Sequence, residues 1–222
     1  MDSLANDQAQ SPINNRHALR LVARACRKAA LSTIMADGSG APYASLVTVA
    51  FDHDLSPILL LSGLADHTRN IMAQPMVSLL LDGTDGHPNP QTGPRVTLMG
   101  VAERSDDDRL KRRFLARHPG AAQYAGFGDF GFWRVRPQRA HFVGGFGRAV
   151  WFDAPFGLDE ALCAEMIEAE AALLDGVVAA ADADGIDLSQ PDGALRIPFP
   201  TPMDSGAELK AAVAATTGGV KR

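Results

Sequence analysis

The stretch "LSGLADHTRNIMAQPMVSLLL", Leu61–Leu81, begins and ends in strand-like apolar runs and holds one short helix between them. His67, Thr68, Arg69 and Asn70 fall in the first turn of that helix, with Asp66 as a candidate N-cap. Backbone N–H groups at a helix start lack intrahelical partners and carry the positive end of the dipole, so polar side chains there can form a seat for an anion. The same residues also read as the plain cap of a surface helix. Both readings stay open at this point.

Working outward, the flanking runs build antiparallel sheet. Upstream, "ALSTIM", the turn "DGSG" and "YASLVTVAFD" form a hairpin, and "ILLLS" follows the turn "HDLSP". Downstream, "MVSLLL" is separated from "RVTLMGVAER" by the polar loop "DGTDGHPNPQTGP". "SDDDRLKRRFLARHPG" is a helix with Ser105 as N-cap, acids first and bases later. "DFGFWRVRPQRAHFVGGFGRA" supplies two strand candidates around Pro137, and Gly144–Gly147 end the segment. Many short strands with two interposed helices point to a closed barrel.

In "RHALRLVARACRK", ahead of the barrel, Arg16, Arg20, Arg24, Arg27 and Lys28 lie mostly on one helix side, read as a solvated face. From Gly157 the composition shifts to Ala, Glu, Leu and Asp, giving one long helix running into a turn, then the strand "ALRIPFP" and the helix "SGAELKAAVAATT". The expected organisation is a flexible arm over 1–14, a barrel domain over 15–155 and a small α/β accessory domain over 156–222.

Composition excludes several classes. With 222 residues, a net charge of -5 and interspersed charges, the chain has no broad basic footprint for nucleic acid. No run approaches a membrane span, and the polar N-terminus lacks an apolar signal core, so a cytoplasmic protein is expected. Cys26 and Cys163 belong to no metal-ligand or disulfide pattern, and no metal site is assigned.

The order of "PYASLVTVAFD", "LSGLADHTRNIMAQPMVSLLL", "RVTLMGVAER" and "AHFVGGFGRA" resembles the pyridoxamine-5'-phosphate-oxidase-like, FMN-binding split barrels. It is most similar to their haem-utilisation branch, in which a small accessory domain follows the barrel, as "DADGIDL" and "LRIPFP" do here. The resemblance implies an α+β split β-barrel of antiparallel strands with flanking helices, assembled as a homodimer with FMN or haem at the subunit interface. It implies cofactor contacts from the second strand, where Ser45 stands, and from the helix counted back from Pro75: His67, Thr68, Arg69 and Asn70. Flavin-binding members commonly have Lys where His67 stands. The haem branch often has "HTRN". Its accessory helix usually carries Asn-x-Asp-His, where this chain has "EAEAALLDGV", and its haem-degrading members use a His near the C-terminus as iron ligand. No His follows His141 here.

The function expected is therefore a flavin- or haem-dependent oxidoreductase or haem-utilisation protein, with a non-catalytic haem-handling or tetrapyrrole-pathway regulator as the alternative. Catalytic residues are not identified, and hydrolase and Walker motifs are absent. Arg148 could pair with a phosphate or propionate, or with the accessory domain. His67 reads as a helix-capping residue rather than an iron ligand. His17, His53, His87 and His118 read as solvated, and His141 as a hydrogen-bonded barrel residue. Trp133, Phe142, Phe146 and Trp151 read as core or dimer-interface aromatics.

Overall fold

The computed structural model describes residues 14–218. The arm expected over 1–14 thus lies, but for Asn14, outside the described residues. Eight strands form one curled antiparallel sheet: β1 (Lys28–Ile34), β2 (Pro42–Thr48), β3 (Ala50–Phe51), β4 (Pro57–Ser62), β5 (Met76–Asp82), β6 (Arg95–Arg104), β7 (Phe130–Val143) and β8 (Ala149–Asp153). Their spatial order is β2-β1-β5-β6-β7-β4-β3, with β8 also on β7. This is the α+β split barrel.

Burial alternates along the strands, so Leu31, Leu79, Leu98 and Ala140 face inward and share a core with Leu19 and Ala23 of α1 (Asn15–Ala25). Helix α2 (Asp66–Ala73) packs on β1 and β2. Helix α3 (Asp108–Arg117) covers β3 and β4 from outside, where Phe114 and Leu110 meet Ile58 and Leu60. The N-cap of α3 is Asp107, whose carboxylate accepts from Arg109 N at 2.8 Å. Ser105, the expected cap, stands two residues too early and accepts from Asp107 N at 3.3 Å.

Strand β7 is one strand of 14 residues, not the two expected around Pro137. One edge of it pairs with β6 from Trp133 to Val143; the other pairs with β4 through Phe130–Arg134 and with β8 through Arg139–Val143. Pro137 falls between those two partners and opposite Gly100, where the register against β6 shifts. A residue without an N–H is tolerated there because no ladder bond is lost. A Cβ at Gly100 would collide with the Arg136 carbonyl. "GGFG" does not end the sheet. It is the turn into β8, with Gly145 at φ 116° and Gly147 at φ 74°, a conformation that favours glycine.

The expected long C-terminal helix stops early. Helix α4 (Glu160–Leu173) ends before "VVAAADADGIDL", which folds as the hairpin of β9 (Val178–Asp182) and β10 (Gly185–Gln190). Asp184 N donates to the Asp182 carboxylate at 3.0 Å and closes that turn. The alanines of β9 read as helix formers, but as small residues they admit α3 and α4 close to the strand. β11 (Gly193–Pro198) completes a three-stranded sheet, and α5 (Gly206–Gly218) packs on α4. No helix among the described residues is long and apolar enough to cross a membrane.

Ion pairs join this second sheet to the barrel. Arg20 and Arg24 are buried, contrary to the solvated face expected of α1: Nε of each donates to Asp184, at 3.0 and 2.9 Å. Arg113 of α3 pairs with Glu170, and Arg117 with Asp187 at 2.5 Å, while Arg196 spans Asp182 and Asp187 at 2.6 and 3.3 Å. His17, His53 and His118, expected in solvent, are buried as well. Sequence spacing shows a helix face but not what covers it, and here an acidic hairpin does.

Two outcomes follow for stability. Burial raises the Glu170 pKa, but Arg113, His53 and the Ala181 N–H overcome that and hold it at about 2. A carboxyl depressed in the folded state stabilises above its unfolded pKa and loses that contribution as pH falls through the folded value. Glu170→Gln is therefore expected to cost on the order of 3 kcal/mol at pH 7, with the difference from wild type vanishing near pH 2; denaturant melts across this range measure it. Gly100→Ala should cost about 3 kcal/mol by forcing β6 and β7 apart, read as a lower melting midpoint at unchanged slope.

Candidate cofactor cleft

Strand β2 ends the sheet, and β4 meets β3 only at Pro57 and Ile58, so the edges of β2 and of Leu59–Ser62 confront each other without a ladder between them. A cleft of about 390 Å³ opens along this seam. It is lined by the buried Val47 and exposed Leu46 of β2 and by Leu60 and Leu61 of β4. Tyr124 and Phe130, whose ring centroids are 5.0 Å apart, wall one side. Thr48, Ser62 and His67 supply polar groups. The cleft is thus a mostly apolar slot with backbone edges on both sides and one imidazole.

The helix-start residues divide among several directions. Ser45 and His67 come together, with Oγ and Nδ1 3.1 Å apart. Burial pushes the His67 pKa below its ordinary value against the opposing pull of Asp66, so the ring is neutral at pH 7. Asn70 turns inward, its Oδ1 accepting from Ala36 N at 2.9 Å and its Nδ2 donating to Thr33 Oγ1 at 2.9 Å. It fastens α2 to β1. Thr68 is buried, and its hydroxyl has no hydrogen-bond partner among the described residues. Arg69 is 58% exposed and pairs with Asp66, also donating to Leu64 O at 3.2 Å. Asp66 is not the N-cap: Ala65 holds that position with no side-chain bond, because the helix starts one residue earlier than the sequence suggests and Asp66 is already in its first turn.

Arg148 stands elsewhere. Its Nε donates to Asn15 Oδ1 at 2.7 Å and its guanidinium lies 5.1 Å from the Phe142 ring centroid, so α1 and β7 hold it rather than the accessory segment. None of these contacts lines the seam cleft. His141 stacks on Trp151 at 4.5 Å on the outer face of the sheet, and Phe146 and Trp151 are exposed while Trp133 and Phe142 are core. Tyr124 and Phe130 escaped sequence reasoning; the aromatic and glycine-rich run "QYAGFGDFGFW" was their signal. Both cysteines are free and buried, and burial pushes each thiol up to about 11.

Comparison with known proteins agrees with the fold. A non-canonical haem oxygenase of Arabidopsis thaliana, named as chloroplastic, is 38% identical over 133 residues, 59% of this chain and 40% of that protein. The chain thus spans less than half the length of that relative. A haem-binding protein from Mycobacterium smegmatis superposes with a TM-score of 0.61 at 26% identity, covering 96% of this chain and 99% of that one. A protein of unknown function from Agrobacterium tumefaciens gives a TM-score of 0.72 at 25% identity over 92% and 96% of the two chains. The family described as CREG, beta-barrel matches residues 13–155, so the chain belongs to the CREG beta-barrel family, a split barrel of the pyridoxamine-phosphate-oxidase-like kind.

Proposed function

We propose that this protein binds haem in the seam cleft and acts as a dimeric haem-utilisation protein. The observation that carries the reading is the cleft itself, apolar and aromatic walls around a neutral imidazole; Arg69, exposed outside the cleft lining and paired with Asp66, is the nearby cation that a carboxylate reaching out of the cleft would draw from that pair. A porphyrin is a broad apolar plate with anionic arms, and this donor set fits it. FMN is the poorer fit, because its phosphate calls for a dense cationic seat. At this helix start the Asn70 amide is spent on β1, and the position held by Lys in flavin binders is His67.

Bound haem would supply iron for redox chemistry with oxygen, while the chain holds the ring, keeps water from its apolar face and offers a proton-bearing or electron-pair nitrogen at His67. The relationship to a haem oxygenase and to a haem-binding protein supports the cofactor class. Titration of purified protein with ferric haem is expected to give a saturable Soret band at one haem per chain. Arg69→Ala should weaken that binding about three- to tenfold, the scale of one exposed charge-assisted contact. A flavin spectrum from protein loaded with FMN at equal affinity would favour the flavin reading instead.

Dimerisation is supported by a row of side chains in register across the outer face: Leu46, Ala30, Leu80, Thr97, His141 and Trp151. Leu46 is 74%, Leu80 43% and Trp151 48% exposed, and Leu64 just before α2 and Met72 near its end are as bare. Contiguous apolar surface of this kind marks an interface. Light scattering at micromolar concentration should give twice the 23.5 kDa of one chain. Leu46→Asp together with Leu80→Asp should shift it to one.

A further inference from the structure

Resting on the haem reading above, we propose that His67 is an axial ligand of the haem iron through Nε2, with the Ser45 hydroxyl as the positioning group behind it. The other described histidines are engaged in ways that remove them. His53 is 2% exposed, with Nε2 3.2 Å from both Glu170 and Arg113. His118 already uses Nε2 toward Val49 O at 2.9 Å, and the cleft it borders carries Arg27 and Lys28 as well as Asp82 and Asp85, so it is this hydrogen bond that removes it. His17 is buried beside Asp184, and His141 lies flat against Trp151. His87 stands in an exposed loop and borders none of the clefts described above.

His67 combines three features. Its ring borders the apolar seam, its Nδ1 is engaged by Ser45 at 3.1 Å, and no capping bond of α2 holds it. A ligating imidazole characteristically offers one nitrogen to the metal and donates its other N–H to a fixed acceptor, which sets the tautomer and the ring plane. With Nδ1–H donating to Ser45 Oγ, the Nε2 lone pair is the free electron pair. Both cysteine thiols are buried and bound elsewhere, Cys26 to Asp82 O and Cys163 to Leu158 O. The seam therefore presents nitrogen rather than sulfur to an iron. The ligand then comes from the barrel, at the start of α2.

Ferric and dithionite-reduced protein, loaded with haem at one equivalent, is read by absorbance and resonance Raman, with circular dichroism to verify folding. Wild type should show an iron–histidine stretch in the ferrous state. His67→Ala should lose that band, bind haem at least tenfold more weakly and regain the band with added imidazole. His67→Met should give a thioether-type spectrum instead. Ser45→Ala should keep the ligand but move the stretch to lower frequency, as expected for an imidazole that has lost its acceptor. Identical spectra and affinity for wild type and His67→Ala would overturn the ligand assignment and leave haem binding standing. A wild type that gives no Soret band on titration would overturn the haem reading and the ligand with it.

Discussion

The second edge of β7 is shared by two partners that cannot both lie flat on it. Beyond Arg134 the strand leaves β4, and from Arg139 it takes up β8, so Pro137 sits where neither claims a hydrogen bond. Gly100 opposite allows the Arg136 backbone to press against β6 at this point. On its far edge β4 meets β3 only at Pro57 and Ile58, so the edge of Leu59–Ser62 is left facing β2 without a ladder. The seam that results is the cleft. A barrel closed by full pairing would have left no backbone edges to face a ligand, so the unpaired edges of β2 and β4 determine where binding is possible.

The ionic contact between barrel and hairpin keeps the outside of this arrangement in place. Asp184 takes Arg20 and Arg24 together, and Glu170 takes Arg113 while receiving the Ala181 N–H. Such pairs add little when set against a well-packed apolar substitute, but removing one partner leaves a buried charge alone. Specific docking follows, since α1 and α3 can meet β9 and β10 in one register only. α3 in turn backs β3 and β4 and leads into the segment that carries Tyr124 and Phe130. The accessory segment thereby braces the cleft wall without touching the cleft.

Much of the barrel was legible because period-two burial, Asp-Gly turns and polar loops each point the same way over β1 to β6. Legibility failed where a signal has two physical meanings. Pro137 reads as a strand break, yet a shared strand edge accepts it. "VVAAAD" reads as helix by propensity, yet tight packing under α3 and α4 asks for small residues in a strand. The basic face of α1 reads as solvated because nothing in its own sequence tells of the distant aspartates. These are tertiary decisions, and local patterns do not contain them.

The candidate site illustrates the same limit at closer range. His67, Thr68, Arg69 and Asn70 are adjacent in sequence, and adjacency suggested one seat built by all of them. On a helix, successive residues step about 100° around the axis, so neighbours point apart, and His67 and Asn70, three apart and on one side, are still set a turn apart along the axis. Asn70 therefore reaches β1, Thr68 is buried, Arg69 swings out to Asp66, and His67 alone meets Ser45 at the seam. The change from Lys to His at that one outlet alters the chemistry of the cleft, from a fixed charge suited to phosphate toward a neutral nitrogen suited to a metal. A single substitution can redirect the site in this way because the helix gives the cleft just one of its four polar side chains.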